Sequence, residues 1–467
     1  LNLSRLYNSL PLPAQHAAVT LYGVYWHWLR FGRGFTGMVK GYEARERWTK
    51  EQWQSWQRER VRLLLTDASQ HVPYYRSAWS NDVKRAALRG ELSAIPLLEK
   101  DALRSQPEAF VNERMPGLPR WTFHTSGTTG TPIKTMWRIP EIRDSLAVRE
   151  ARSARWAGVS FSLPRATFSG RMVEPDPHSA GPFYRYNAME RQAYLSPFHL
   201  GPATAAQYVE ALRRTGVQWL TGYAVSYYLL ARYILEQNLR VPPLRAVITT
   251  SEKVTEEMRA LMQEAYHCRV YEEYSTVENA LFASECEHGR LHVSPDVGVV
   301  EILRPDGTAC RAGEVGEVVA TCLMRRFQPL IRFRLGDLAA WDDEPCPCGR
   351  SMPVLKEVVG RIEDVVVGPD GREMVRFHGI FTDQPHVREG QIVQEALQRI
   401  TVRIVPTPEF GEDDVRDIVH RVQQRLGSEV RVRVERVAAI PRTASGKYKA
   451  VISFVPRSRV HVQEVYR

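Results

Sequence analysis

The sequence predicts an α/β protein. A large N-terminal domain with mostly parallel sheets and a β-rich subdomain precedes a small α+β C-terminal domain. Three observations carry that expectation. From about residue 150 to 280, helical stretches alternate with short apolar runs, the rhythm of crossover units. From about 290 to 340, "VGVVEIL", "GEVVATCL" and "LIRFRLGDLAAW" follow one another as strands. After "GRIEDVVVG" the chain reads strand, helix, strand, and its 467 residues exceed one ordinary core.

The elements follow in order. The first 115 or so residues read as a helical extension; within it Thr49 and Gln52 have capping-box spacing at the head of "TKEQWQSWQRERVRLLL", and "IPLLEKDALRS" begins another helix. "RWTF" and "IKTMW" are strand-like runs on either side of "HTSGTTGTP", which predicts a hairpin. Next come "AAQYVEALRRTG" (helix), "VQWLTGY" (strand), "AVSYYLLARYILEQN" (helix), "RAVITTS" (strand), "EKVTEEMRALMQEAYH" (helix) and "RVYEEYS" (strand). Parallel sheets of this kind hold ligands beyond the carboxyl ends of their strands, where "TTS" (249–251) and "EYSTVEN" (273–279) fall. "ITVRIVP", "GEDDVRDIVHRVQQRLG" and "EVRVRVERVAAIP" form the last unit, so the expected domains are 1–359 and 360–467.

Composition bounds the function. Hydrophobic content of 43% and charged content of 25% fit a soluble globular chain. No stretch reaches the ~18 apolar residues of a membrane span. The nearest, "AAVTLYGVYWHWL" (Ala17–Leu29), carries His27 and lacks a signal-peptide cleavage site. It is expected to be a helix packed on the body, or else an interfacial or partner-binding helix, and the expected location is the cytoplasm. The net charge of +10 comes mainly from Arg spread along the chain without a basic block. That argues against nucleic acid and suits polyphosphate ligands. Six cysteines, Cys268, Cys286, Cys310, Cys322, Cys346 and Cys348, do not make a disulfide framework in a chain this long.

"HTSGTTGTPIK" (His124–Lys134) poses the chemical question. Gly-rich turns let backbone N–H groups converge on an anion, and Ser/Thr hydroxyls add donors. The Walker A pattern fails, because Ile133 rather than Gly precedes Lys134. Taken alone, the stretch reads equally as a linker or a phosphate loop. Four later stretches weigh on that choice: "YSTVEN" (274–279), "IRFRLGDL" (331–338) with Asp337, "GRIED" (360–364), and "IPRTASGKYK" (440–449) with Lys447. A carboxylate such as Asp337 can accept both hydroxyls of a vicinal diol.

In this order the motifs resemble the adenylate-forming superfamily of acyl-CoA synthetases, luciferases and adenylation domains. "HVPYYR" and "PLIRFRLGDLA…CPCGR" are similar to its phenylacetate–CoA ligase and capsule-biosynthesis branch. The resemblance implies that a carboxylate attacks the α-phosphate of ATP, giving acyl-adenylate and pyrophosphate. A thiol, most simply that of coenzyme A, then takes the acyl group and AMP leaves. Ser126, Gly127, Thr128, Thr129 and Gly130 would hold phosphates, with Lys134 beside them and Thr128 catalytic. Glu278 would contact Mg²⁺, and Asp337 the ribose. Tyr274 would stack on adenine. Ser251, Glu252, Glu272, Ser275, Thr276 and Arg361 would complete the nucleotide site. Glu363 matches the hinge of a mobile C-terminal lid, and Lys447 the lysine that swings in for adenylation.

The chain departs from the pattern at Ile133, where Lys is usual, at Ser275, where Gly is usual, and at Val277 in place of a hydroxyl residue. Cys286, Cys346 and Cys348 with His292, or alternatively His288, have the donor types of a structural zinc site; the other reading is unrelated free thiols. The acceptor stays open between coenzyme A and an amine or hydroxyl on a sugar or metabolite. A scaffold with degenerate motifs is a third possibility. Phe, Tyr and Arg in segment 168–187 favour an aromatic or polar acid over a long alkyl chain. The oligomeric expectation is a monomer or a homodimer.

Overall fold

The computed structural model describes the chain except residues 1–6, 116–119, 125–132, 172, 175, 177–178, 362–365, 370–372, 375–376, 382–383, 443–448 and 456–467. Two compact units emerge. The first comprises Leu1–Val300, Val319–Arg334 and Asp342–Lys356; the second comprises Glu301–Val318, Leu335–Trp341 and Glu357–Arg467.

The first unit opens with helices α1 (Leu12–Phe31), α2 (Phe35–Arg45), α3 (Lys50–His71), α4 (Pro73–Ala78), α5 (Asn81–Arg89) and α6 (Lys100–Ser105). The capping box at α3 forms as expected: the Thr49 hydroxyl accepts from the Gln52 amide at 3.3 Å, and the Gln52 side chain accepts from the Thr49 amide at 2.8 Å. α7 (Ile139–Arg149) runs into a single π turn, Glu150–Ala154, whose wider winding buries Arg152 completely.

Strands β1 (Trp121–His124) and β2 (Lys134–Trp137) pair antiparallel, with Trp121 opposite Trp137 and His124 opposite Lys134. The main sheet uses β3 (Arg165–Phe168), β4 (Tyr184–Asn187), β5 (Gln192–Leu195), β6 (Trp219–Tyr223), β7 (Ala246–Thr250), β8 (Arg269–Ser275), β9 (Phe282–Glu285) and β10 (Leu291–Val293). Its order is β10–β9–β8–β7–β6–β3–β5–β4. β5, β3, β6, β7 and β8 are parallel, while β4, β9 and β10 pair antiparallel at the two sides. Helices α8 (Ala205–Arg214), α9 (Ala224–Glu236) and α10 (Glu256–Tyr266) supply the crossovers. Side chains alternate as the pleat requires. Leu220, Val247 and Val270 join the core with the crossover helices, whereas Trp219, Ile248 and Tyr271 pack with Ala154 and Ala157 on the other face.

β11 (Gly298–Leu303), β12 (Val315–Cys322), β13 (Phe333–Asp342) and β14 (Val354–Arg361) each contribute residues to both units. In the second unit β15 (Val366–Val367) pairs with β16 (Glu373–Met374). β17 (Val387–Ala396), β18 (Arg399–Pro406), β19 (Arg431–Arg436) and β20 (Val451–Ser453) form a four-stranded sheet in the order β19–β18–β17–β20. α11 (Glu412–Leu426) crosses between the parallel pair β18 and β19, burying Ile418, Val422 and Leu426 against Ile400, Val402 and Ile404.

One buried ion cluster ties the first unit together. Arg152 donates both terminal nitrogens to the Asp296 carboxylate at 2.5 and 2.9 Å, and Arg45 of α2 adds a third bond at 2.7 Å. Arg152 also lies over the rings of Tyr42 and Trp53. Burial alone would raise the Asp296 pKa, but the two guanidinium groups hold it below the ordinary value. A depressed carboxyl stabilises the fold above its unfolded pKa and loses that contribution as the pH falls through the folded one.

Arg152→Met should therefore strand a buried charge and cost about 3–5 kcal/mol at neutral pH. Denaturant titrations should show the deficit shrinking as the pH is lowered through the ordinary Asp range, because protonated Asp296 no longer needs a cation. A pH-independent deficit would assign the loss to packing instead.

Candidate active site and metal cluster

The parallel strands present their carboxyl ends to a cavity of about 600 Å³. Phe168 of β3, Thr221 and Tyr223 of β6, Thr250 of β7 with Ser251, and Glu273 of β8 line it. Gly222 is indispensable there. Its φ is +128°, and a Cβ would stand 1.9 Å from the Phe168 carbonyl. Ser251, just past β7, also holds a left-handed backbone, φ +72°.

Charge is concentrated in this cavity. Arg30, Arg149, Arg165 and Arg171 line it against Glu190 and Glu273, leaving net positive charge. Arg165 donates to Glu190 at 2.7 Å and to Gln192 at 2.8 Å, and Gln192 in turn donates to Thr167 at 2.7 Å. Arg149 pairs with Glu273 and donates to the Ser275 hydroxyl at 2.7 Å. Ser275, in the place where the family usually has Gly, thus anchors a guanidinium. The Thr276 hydroxyl is buried, has no hydrogen-bond partner among the described residues, and lines the cavity. Arg171 stacks over the Tyr194 ring at 4.4 Å.

Arg325 sets two motifs side by side. Fully buried, it donates to the Glu278 carbonyl at 2.9 Å and to the Met136 carbonyl at 2.5 Å, while its guanidinium lies 4.2 Å from the Trp137 ring centroid. The hairpin strand β2 is thereby fixed next to the Thr276–Asn279 turn. Carbonyl dipoles and an aromatic face replace the water this cation has lost.

The residues singled out from sequence fall in different places. Ser126, Gly127, Thr128, Thr129, Gly130, Glu363 and Lys447 lie outside the described residues, as does the Arg361 side chain. Ser251 and Thr276 line the cavity, and Glu278 is buried in the adjoining turn. Tyr274 and Ser275 end β8, and Lys134 is exposed at the start of β2. Asp337 is buried on β13 in the second unit. Two further residues have defined local partners. The Glu252 carboxylate accepts from the Val225 amide at 2.9 Å, capping α9. Glu272 sits with Glu285 and Arg259, where burial first and the Glu285 charge second raise its pKa to about 7. Its neighbour Glu273 is the one that lines the cavity. Strand alternation decides between adjacent glutamates, and that phase was readable in "RVYEEYS" only once a core face was known. Arg149 and Arg165 had no motif to mark them.

A separate cluster brings Cys286, His292, Cys346 and Cys348 together, with donor atoms all within 4.8 Å of one another. Cys286 and Cys346 sulfurs are 3.7 Å apart, and Cys348 sulfur lies 3.4 Å from His292 Nε2. A tetrahedral zinc with ordinary bond lengths needs edges of about 3.8 Å between sulfurs and about 3.6 Å between sulfur and nitrogen. The Met352 carbonyl, 3.3 Å from His292 Nδ1, can only accept, so Nδ1 carries the proton and Nε2 offers its lone pair. Burial lowers the His292 pKa to about 4, keeping the ring neutral. The alternative ligand His288 is exposed; only its backbone amide approaches the cluster, donating to Cys286 Sγ at 3.3 Å.

Comparisons with known proteins agree with this architecture. The CapK C-terminal domain family matches residues 368–454. Protein CapK of Staphylococcus aureus is 24% identical over 397 residues, covering 80% of this chain and 84% of CapK. The phenylacetate-coenzyme A ligase of Thermus thermophilus is 22% identical, covering 86% of this chain and 97% of its own. Among solved structures, a 2-hydroxyisobutyryl-CoA ligase in its postadenylation state superposes with a TM-score of 0.68 at 21% identity, covering 88% of this chain and 91% of that one. The fold is that of the adenylate-forming ligases.

The cluster geometry leads to a metal measurement. Protein purified without added metal should carry about one zinc per chain, and Cys348→Ser should lose it along with thermal stability, since structural zinc contributes on the order of 10 kcal/mol of apparent binding energy. Elemental analysis checks the stoichiometry. A metal-free wild type as stable as the zinc-loaded protein would refute the site.

Proposed function

Because the chain belongs to the adenylate-forming superfamily, in its phenylacetate–CoA ligase and capsule-biosynthesis branch, we propose that it is an AMP-forming ligase. It activates a carboxylic acid with ATP and passes the acyl group to a thiol, most simply coenzyme A. The observation that carries this reading is the cationic cavity at the carboxyl ends of β6, β7 and β8, adjoined by the Glu278 turn. Net positive charge favours an anionic acid and a polyphosphate together. Low dielectric inside the cavity strengthens each contact to developing charge.

In this mechanism the acid lies between the Arg165–Gln192–Thr167 chain and the Thr276 hydroxyl. The Thr167 and Thr276 hydroxyls orient its carboxylate toward the α-phosphate, in the field of the Arg165 guanidinium, whose terminal N–H groups are committed within the protein. Ser126, Thr128 and Thr129, with the amides of Gly127 and Gly130, hold the departing pyrophosphate. Asp337 takes the ribose hydroxyls, and Tyr274 the adenine. Glu278 would hold Mg²⁺, whose charge offsets that of the phosphates. By the family resemblance, Lys447 approaches the acid and phosphate oxygens as negative charge builds, then withdraws when the C-terminal domain, 360–467, turns about Glu363. The cavity's polar and aromatic lining fits an aromatic or polar acid better than a long alkyl chain. The alternative acceptor is an amine or hydroxyl on a sugar or small metabolite.

Pyrophosphate exchange over a panel of acids tests the first half-reaction. AMP release on adding coenzyme A or candidate amines identifies the acceptor. A charge needed only as the adenylate forms should alter turnover and not nucleotide binding. Lys447→Ala should thus slow adenylate formation at least ~100-fold, yet leave acyl transfer from supplied acyl-adenylate nearly unchanged. Equal loss in both steps would refute the lid role, and absence of exchange with every acid would refute the ligase reading.

A further inference from the structure

Helix α1 keeps an apolar stripe on its outer side. The side facing the body combines apolar packing, with Leu29 buried and Trp26 edge-on to Trp121, and hydrogen bonds: His16 Nδ1 accepts from the Tyr186 amide at 2.9 Å, and the Thr20 hydroxyl accepts from the Ala188 amide at 3.1 Å. Gln15 accepts from Arg185 at 2.5 Å. Contact is close, for a Cβ on Gly23 would fall 2.4 Å from the Asn187 side chain. The opposite side carries Leu21, Val24, Tyr25 and Trp28, at helical spacing and 73, 47, 49 and 69% exposed. Tyr22 beside them is 59% exposed. A surface helix ordinarily turns its apolar stripe inward, so this stripe is built for something outside the chain.

Charge and side-chain type identify the occupant. From Leu1 to Tyr42 the sequence has no Asp or Glu, and its formal charges are Arg5, Arg30, Arg33 and Lys40. Arg33 and Lys40 are exposed just beyond the stripe. Two Tyr and a Trp in an apolar row suit the boundary between head groups and acyl chains, where the ring is buried and its polar tip stays wet. No helix among the described residues is long and apolar enough to cross a membrane. At about 1.5 Å per residue, α1 can instead lie some 30 Å along a surface. The same helix contributes Arg30 and Phe31 to the large cavity. We propose that the exposed face of α1 is a membrane-docking surface, which seats the protein on a bilayer bearing anionic lipids with the cavity close to the head groups.

The test is co-sedimentation of the full chain with phosphatidylcholine–phosphatidylglycerol vesicles and with phosphatidylcholine vesicles alone. Binding is expected to the anionic vesicles, weakening as salt rises. Leu21→Glu with Trp28→Glu should reduce it at least ~10-fold without changing thermal unfolding. Reversing Arg33 and Lys40 should weaken it roughly fivefold per charge, while Trp28→Phe should retain it. Failure of wild type to sediment with anionic vesicles overturns the proposal. So does a dimer in velocity ultracentrifugation that the Leu21/Trp28 double variant converts to monomer while vesicle binding is absent, since the stripe would then be a self-association face.

Discussion

Asp296 is buried, and its requirement for cations organises the first unit. Its two arginines come from α2 and from the π turn after α7, elements more than a hundred residues apart in sequence. Had α7 continued with regular winding, Arg152 would have pointed elsewhere and left the buried carboxylate with Arg45 alone. The Arg152 carbonyl accepts from the Ser284 hydroxyl of β9 at 3.0 Å, so the same turn also anchors the sheet. Trp53, which shares the Arg152 guanidinium, packs in one apolar cluster with Cys286, Met352 and Trp156. The metal cluster and the ion cluster therefore have a common wall.

Arg325 extends that logic into the candidate active site. It is buried without a carboxylate bonded to it, and its stability rests on backbone carbonyls and the Trp137 face. Those carbonyls belong to the hairpin flanking 125–132 and to the Glu278 turn. One side chain thus fixes the separation of two segments that the proposed chemistry must bring to the same phosphates. Gly222 acts similarly at the carboxyl end of β6, by letting that strand pass the Phe168 carbonyl without a Cβ.

Much of this was legible in sequence, because local signals agreed with tertiary demands. The capping box at Thr49, the β6, β7 and β8 runs with their crossover helices, and the hairpin around 124–134 all read directly from residue pattern. Cys286, Cys346 and Cys348 with either His292 or His288 were legible as candidate metal donors, and the fold brings His292 to the three cysteines. Side-chain phase was less legible. In "YEEY" two adjacent glutamates point to opposite faces, and composition cannot say which face holds the cavity. Glu252 caps a helix, a role its motif did not signal, because an acid placed two residues beyond a strand also reaches a neighbouring helix terminus. Buried arginines escaped notice for a different reason. In a chain so rich in Arg, no local pattern separates half-buried Arg149 or buried Arg152, Arg165 and Arg325 from solvated ones.

The choice of Arg over Lys in those interior positions has a physical basis. Arg165 donates to a carboxylate, an amide oxygen and two backbone carbonyls from one planar head. A lysine ammonium, with three donors on a compact and strongly hydrated centre, could not span the same partners without stranding one. Burial would also tend to strip its proton, whereas guanidinium stays charged. Interior arginines therefore let the protein keep permanent positive charge beside a cavity and still satisfy its own acceptors. The net cationic character of the pocket is then a fixed property of the fold, present before any anion arrives.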